Sequence, residues 1–190
     1  MKEVVEFENY KIKECSIQFP DESAVAFGCA GTMDATANIN ETVKKCEGKT
    51  VKKAKTVVDI TVALTGYAKA PISRKIMGLS NKGLKTGVYG YGSESFSKPF
   101  VFAAKVFDME GKVKYIAFSN LEDVKGLSLK VNNDTTEIEM DDFEFTALAD
   151  SNEMFYYEAF EDELEDDTVK EQWLTNFTPT LVKSTEQSNG

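Results

Sequence analysis

The stretch KTVVDITVALTGYAKAPISRKIMGL, residues 55–79, decides the fold class of this chain. Its first part alternates apolar residues with polar or small ones. The apolar members are Val58, Ile60, Val62 and Leu64. A period of two places successive side chains on opposite faces of a strand. The stretch therefore predicts a strand over 54–68.

The second part of the same stretch changes to a helical pattern. Pro71 stands where the first turn of a helix accepts proline. Ile72, Ile76 and Leu79 are spaced to form one apolar face. A helix is predicted over 70–79, directly after the strand, in a position to cover a sheet.

Period-two alternation continues along most of the chain, and turn residues separate the runs. Further strands are predicted at 10–19, 24–39, 86–92, 99–108, 112–119, 127–131, 135–148 and 153–160. Hairpin loops are predicted at Glu47-Gly48, Glu110-Gly111 and Asn132-Asn133-Asp134. The pattern predicts a mainly β fold, a β-sandwich or β-barrel of antiparallel strands with one flanking α-helix.

The chain is predicted to form one domain followed by a short C-terminal segment. The 190 residues suit one domain, which we place at 1–174. A short second helix is predicted at 164–174, and 175–190 is predicted to be a C-terminal arm or flexible tail. The charged start of the chain does not resemble a signal peptide, and no run approaches the ~18 apolar residues of a membrane span.

Composition excludes several classes of function. The chain is 42% hydrophobic, carries a net charge of −10 and has no histidine. An acidic surface disfavours a grip on nucleic acid, and the lack of imidazole removes the commonest general base and metal ligand. Cys15, Cys29 and Cys46 fit no zinc or redox motif, which indicates reduced thiols in a protein made in cytoplasm.

No constellation of reactive residues emerges from the sequence. Asp141 and Asp142 are neighbours on a predicted strand, so they point to opposite faces. GVYGYG at 87–92 lacks the spacing of a phosphate-binding loop. No acidic run has the spacing of a calcium loop. We therefore expect no enzyme activity, no cofactor and no metal site.

Charge is distributed in two blocks near opposite ends of the chain. The basic block surrounds the hairpin turn and comprises Lys44, Lys45, Lys49, Lys52, Lys53 and Lys55. The acidic block comprises Glu161, Asp162, Glu163, Glu165, Asp166 and Asp167. The blocks are either two solvated segments, partners within one chain, or partners between copies.

Five quoted stretches carry a resemblance to a known family. They are residues 55–79, KTGVYGYG at 85–92, SKPFVFAAKVFDMEGKVKYIAFSN at 97–120, TTEIEMDDFEFTALAD at 135–150 and MFYYEAF at 154–160. Their order, between about Ala35 and Phe160, resembles the major tail tube proteins of siphophages, the bacteriophages with long non-contractile tails.

That resemblance implies a structural virion protein, assembled in the bacterial host cytoplasm. Its copies would close into hexameric rings that stack into a tail tube, around a tape-measure protein. A tail terminator and a distal tail protein would be further partners, and DNA would pass through without specific binding. The contact between the two charge blocks is then predicted to join different subunits, across the junction between rings.

An acidic wall would suit such a conduit, because it repels phosphates. At least two of five acidic residues on polar strand sides are predicted to face the lumen. The candidates are Asp34, Asp59, Glu137, Glu139 and Glu144.

One alternative is a monomeric β-sandwich that binds a carbohydrate or a peptide. Its binding platform would be formed by exposed aromatic residues, namely Tyr89, Tyr91, Tyr156 and Tyr157. A third interpretation, an enzyme with paired carboxylates, has no base or nucleophile to support it.

Overall fold

The computed structural model describes residues 6–134 and 136–184. Within these ranges, the elements follow one another as eight strands and two helices. They are β1 (Lys11–Gln18), β2 (Val25–Ala26), β3 (Gly28–Cys46), β4 (Lys49–Ala68), α1 (Ala70–Ile76), β5 (Phe100–Phe107), β6 (Val113–Asp123), β7 (Asp141–Ala147), β8 (Tyr157–Phe160) and α2 (Asp167–Gln172).

All strands belong to one antiparallel sheet, in the order β2-β1-β5-β6-β7-β4-β3, with β8 added beside β6. The two ends of the sheet come together at Phe27, whose N–H donates to the carbonyl of Cys15 and whose carbonyl accepts from the N–H of Lys69. The sheet therefore curls round on itself. Strand accounts for 46% and helix for 7% of the described residues, so the predicted mainly β fold with a flanking helix is confirmed.

The inner face of the curled sheet carries the main core, which is rich in phenylalanine. Phe27 is fully buried, with its ring centroid 5.6 Å from that of Phe143 in an edge-to-face contact. Helix α1 closes this core with Ile72 and Ile76. The α1 segment ends at Gly78, whose φ of +72° suits glycine, because an added Cβ would lie 2.7 Å from the backbone of Phe96.

The outer face of β5, β6 and β8 carries a second core. Tyr115 and Ala117 project outwards there, and Trp173 and Phe177 cover them, each only 2% exposed. The indole N–H of Trp173 donates to the carbonyl of Ile116 at 3.0 Å. Packing thus continues beyond the predicted domain boundary at 174, while 185–190 of the predicted tail lie outside the described residues.

Two predicted strands are wrong. At 86–92 the chain forms turns and one isolated bridge between Ser80 and Gly90, because Gly87 adopts a φ of +84° that interrupts an extended strand. Residues 127–131 form no strand, because no strand of the described chain pairs with them.

Other predicted boundaries shift as well. β7 and β8 are shorter than predicted, at Asp141–Ala147 and Tyr157–Phe160. β3 and β4 are longer, because each satisfies the other's backbone hydrogen bonds down to the turn between Cys46 and Lys49.

Candidate functional site

Three of the five predicted lumen residues converge on one face of the sheet. Asp34 on β3 and Glu144 on β7 both stand directly opposite Ala63 on β4. Asp59 lies four residues before Ala63 on the same strand, opposite Asn38. Because paired residues share a face and the period is two, the three carboxylates lie on the same side. This side is the outer one, since Val62 and Leu64 point into the core.

Threonines fill the space between these carboxylates. The register aligns Thr36, Thr61, Thr146 and Glu122 in one row across four strands. We call the surface formed by these rows the polar face; its members are Asp34, Thr36, Asn38, Asp59, Thr61, Glu122, Asp142, Glu144 and Thr146. None of these side chains is basic, so the polar face is electronegative, with Lys130 at its margin, 3.8 Å from Asp142.

The other two predicted lumen residues, Glu137 and Glu139, do not lie on a strand. β7 begins only at Asp141, so the prediction that they occupy the polar side of a strand is wrong. Glu139 pairs with Lys130 at 2.8 Å, and the hydrogen bond from that ammonium lowers the pKa of Glu139. Whether any of the five faces a lumen stays a prediction.

The predicted lysine-rich hairpin extends well beyond the sheet. β7 pairs with β4 only from Ile60 onwards, so no further strand of the described residues lies beside the ribbon formed by residues 39–58. Glu47 and Gly48, with φ of 48° and 77°, form its turn. At ~3.3 Å per residue the ribbon projects about 25 Å. We call residues 39–58 the arm.

The arm is both basic and apolar. Lys53 and Lys55 pair with Glu41 at 2.8 and 3.9 Å. The remaining arm lysines form no ion pair within the described ranges; they are Lys44, Lys45, Lys49 and Lys52. The exposed apolar residues of the arm are Ile39, Val43, Val51, Val57 and Val58. Such a surface is typical of a segment that contacts a partner.

The acidic block is the predicted partner of the arm, but several of its carboxylates contact other groups of the same chain. Glu161 accepts a hydrogen bond from the hydroxyl of Tyr115 at 2.9 Å, and Asp166 caps α2 through the N–H of Thr168. Asp167 lies 3.9 Å from Lys170. The structure does not bring this segment to the arm of the same chain, and a contact between copies stays a prediction.

An exposed apolar segment between β6 and β7 was missed by the functional analysis of the sequence. It is the stretch 124–140, which we call the apolar loop. Its exposed residues are Val124, Leu127, Leu129, Val131 and Ile138, of which Leu129 is 84% exposed. The alternation of Leu127, Leu129 and Val131 is the sequence pattern that could have indicated a contact surface here.

The apolar loop is anchored at both ends. Asp123 accepts a hydrogen bond from the N–H of Gly126 at 2.6 Å, and burial raises the pKa of that carboxyl. The hydroxyl of Tyr67 donates to the carbonyl of Ile138. The loop therefore presents its apolar side chains from a fixed base.

The predicted tyrosine platform does not form. Tyr156 packs on Phe118 in the main core, whereas Tyr157 packs on Phe177 in the second core, so the two rings lie on opposite faces of the sheet. Their hydroxyls donate to Glu158 and Asp150, each at 2.7 Å.

A cleft of about 1090 Å³ opens between β1 and β3. Its lining residues include the aromatic Phe118 and Tyr156 and the charged Lys13, Lys114 and Glu158. Within 6–134 and 136–184, no group of three or more cysteine, aspartate or glutamate side chains is placed to hold a metal ion. No helix in the same part of the chain is long and apolar enough to span a membrane.

Comparisons with known proteins complete the description. No protein-family model matches the chain, and no curated protein matches it. Among solved structures, the chain is similar to the anti-feeding prophage cap, described as the AFP tube terminating cap. The two chains are 14% identical, with a TM-score of 0.43, over 84% of this chain and 96% of that one.

Proposed function

We propose that this chain is a structural protein of a siphophage virion, whose copies form stacked hexameric rings around a channel for DNA. The observation that carries the proposal is that one chain combines an acidic sheet face with a basic arm that projects into solvent. The phage assignment, the tape-measure protein, the tail terminator and the distal tail protein as partners, and assembly in the host cytoplasm rest on the sequence resemblance. In this proposal the chain is not an enzyme and needs no cofactor.

The polar face suits the wall of a DNA channel. Apart from Lys130 beside Asp142 at its margin, the members of the face offer carboxylates and hydroxyls to a phosphate, so a duplex would slide along it without being held. Asp34, Asp59 and Glu144 are the residues that we propose to face the lumen. Because these three residues share one face, the proposal names three residues in place of the five predicted from the sequence.

The arm and the free strand edges suit contacts between copies. β3 ends the sheet, so its outer edge along the arm leaves backbone N–H and C=O groups for another chain. A closed ring removes such edges. A stable interface of this kind buries more than ~1,000 Å².

Assembly of the purified protein tests the proposal. Negative-stain images at high protein concentration and low salt should show rings or tubes. The variant K49E/K52E/K53E should fold but assemble poorly, because it reverses three charges of the arm. A matched control is K82E/K85E/K98E, which makes the same charge change in an exposed loop outside the arm. Equal assembly by both variants would refute a role for the arm.

The cleft favours one second candidate, a monomeric binding module for a peptide or carbohydrate. Its size suits a small ligand, and its lining includes aromatic and charged side chains. Titration with peptide and oligosaccharide probes, followed by NMR shifts at Phe118 and Tyr156, tests it. Saturable shifts in a protein that stays monomeric would favour this candidate over the tube.

A further inference from the structure

We propose that the apolar loop of one copy receives the arm of a second copy, so that copies join head to tail. The inference deepens the proposed self-assembly and rests on it. It names the two surfaces that meet and assigns a role to a segment that forms no strand within the described chain.

The two surfaces match in apolar character. Leu129 and Val131 are 84% and 75% exposed, and on the arm Ile39 and Val51 are 55% and 58% exposed. Exposed apolar residues grouped in this way indicate a contact surface. Contact between the two groups would remove both from water.

The backbones of the two surfaces allow a main-chain contact. Residues 127–131 belong to no helix, strand or turn of the described chain. The arm is a two-stranded ribbon whose outer edges have no neighbouring strand among the described residues. An extended segment adds to such an edge through main-chain hydrogen bonds. The alternation of Leu127, Leu129 and Val131 is then that of a strand completed by another copy.

Charge complements the contact. The arm carries six lysines and two glutamates, a net charge of +4. The apolar loop, 124–140, carries three acidic residues and two lysines, a net charge of −1, and Asp141 and Asp142 follow it directly at the start of β7. Opposite charges at the rim of an apolar contact favour the encounter and weaken it as salt rises.

The arm turn and the apolar loop lie at opposite ends of β4 within one copy. Asp141, where β7 begins after the apolar loop, is paired with Gly66 near the end of β4. The arm turn precedes Lys49, at the start of the same strand. Seventeen residues at ~3.3 Å separate Lys49 from Gly66, about 55 Å. Complementary surfaces at opposite ends generate a head-to-tail series.

The predicted acidic segment 161–167 is the competing partner for the arm. It follows β8, whose Phe160 is paired with Lys114 at the start of β6. By the strand register this is the end of the sheet from which the arm projects, whereas the apolar loop leaves the other end. A head-to-tail junction therefore selects the apolar loop.

Photo-crosslinking of the assembled full-length protein distinguishes the two partners. A benzoylphenylalanine is placed at Val43 on the arm, and at Val25 as an exposed control outside it. After irradiation, mass spectrometry locates the linked residues. We expect links from position 43 to residues 124–140 of another copy, and none from position 25 to that loop.

A paired substitution gives an independent readout. Leu129→Ser with Val131→Ser should raise the concentration needed for assembly by about tenfold or more, since two apolar side chains are no longer buried. Phe96→Ser with Met109→Ser is the matched control, because those side chains are 79% and 75% exposed outside both surfaces. Unchanged circular dichroism confirms that each variant folds.

The possible outcomes separate this inference from the proposed function. Tubes that form without links to the apolar loop, or with links to 161–167 instead, would overturn the inference and leave self-assembly intact. A parent protein that stays monomeric would overturn both.

Discussion

Replacement of Trp173 by alanine tests the second core. The indole is 2% exposed, its centroid lies 5.0 Å from that of Phe177, and its N–H donates to Ile116 at 3.0 Å. Loss of a buried aromatic side chain costs ~3–5 kcal/mol. Within that total, the hydrogen bond accounts for about 1 kcal/mol. Trp173→Ala should therefore lower the free energy of unfolding by ~3–5 kcal/mol, and Trp173→Phe by roughly 1–2 kcal/mol.

Urea denaturation followed by far-ultraviolet circular dichroism measures these free energies. Hydrogen exchange locates the effect, because the amides of Trp173 and Asn176 should lose protection in the alanine variant before the amides of β4 do. A loss below about 1 kcal/mol would mean that the C-terminal segment is not held by this core. Equal losses for both variants would mean that the ring contributes nothing beyond its hydrogen bond.

The remaining predictions concern pH, the end of α1 and the polar face. Burial, with a hydrogen bond to a carboxylate, raises the pKa of Tyr115 and of Tyr157 to about 12. A raised pKa stabilises the fold fully below the unfolded value of ~10, so stability should fall as pH rises from about 10 to 12, in urea titrations across that range. Gly78→Ala should cost more than ~1 kcal/mol by thermal unfolding, because φ is positive and the new Cβ would meet the backbone of Phe96. Charge reversal of the polar face should slow DNA ejection in an infection assay without dissolving the tube, and ejection at the normal rate would contradict the lumen assignment. The reversed residues are Asp34, Asp59 and Glu144.

The sequence pattern correctly predicted the elements whose formation depends on residues close together along the chain. The alternation from Val58 to Leu64 marks β4 correctly, because one side of that strand is buried in the chain's own core. Pro71 marks the start of α1 for an equally local reason. The extension of β3 and β4 into the arm was harder to predict. Lysines and exposed valines alternate there, and neither face of the ribbon is buried.

The predictions that were wrong or missing concern features that depend on contacts between distant parts of the chain. Residues 127–131 have the pattern of a strand, but a strand also needs a neighbour, and within the described chain none is present. The convergence of Asp34 and Glu144 depends on which strands pair and in what register, which one sequence does not specify. Phe177 falls within 175–190, which was predicted to be a C-terminal arm or flexible tail, yet its ring is buried against Trp173.

Cryo-electron microscopy of the assembled protein would show which surface of each subunit faces the channel. We expect stacked rings in which the polar face lines the channel and the arm of each subunit reaches a subunit of the next ring. A protein that remains monomeric at high concentration and low salt, or a tube whose polar face points outwards, would contradict this expectation.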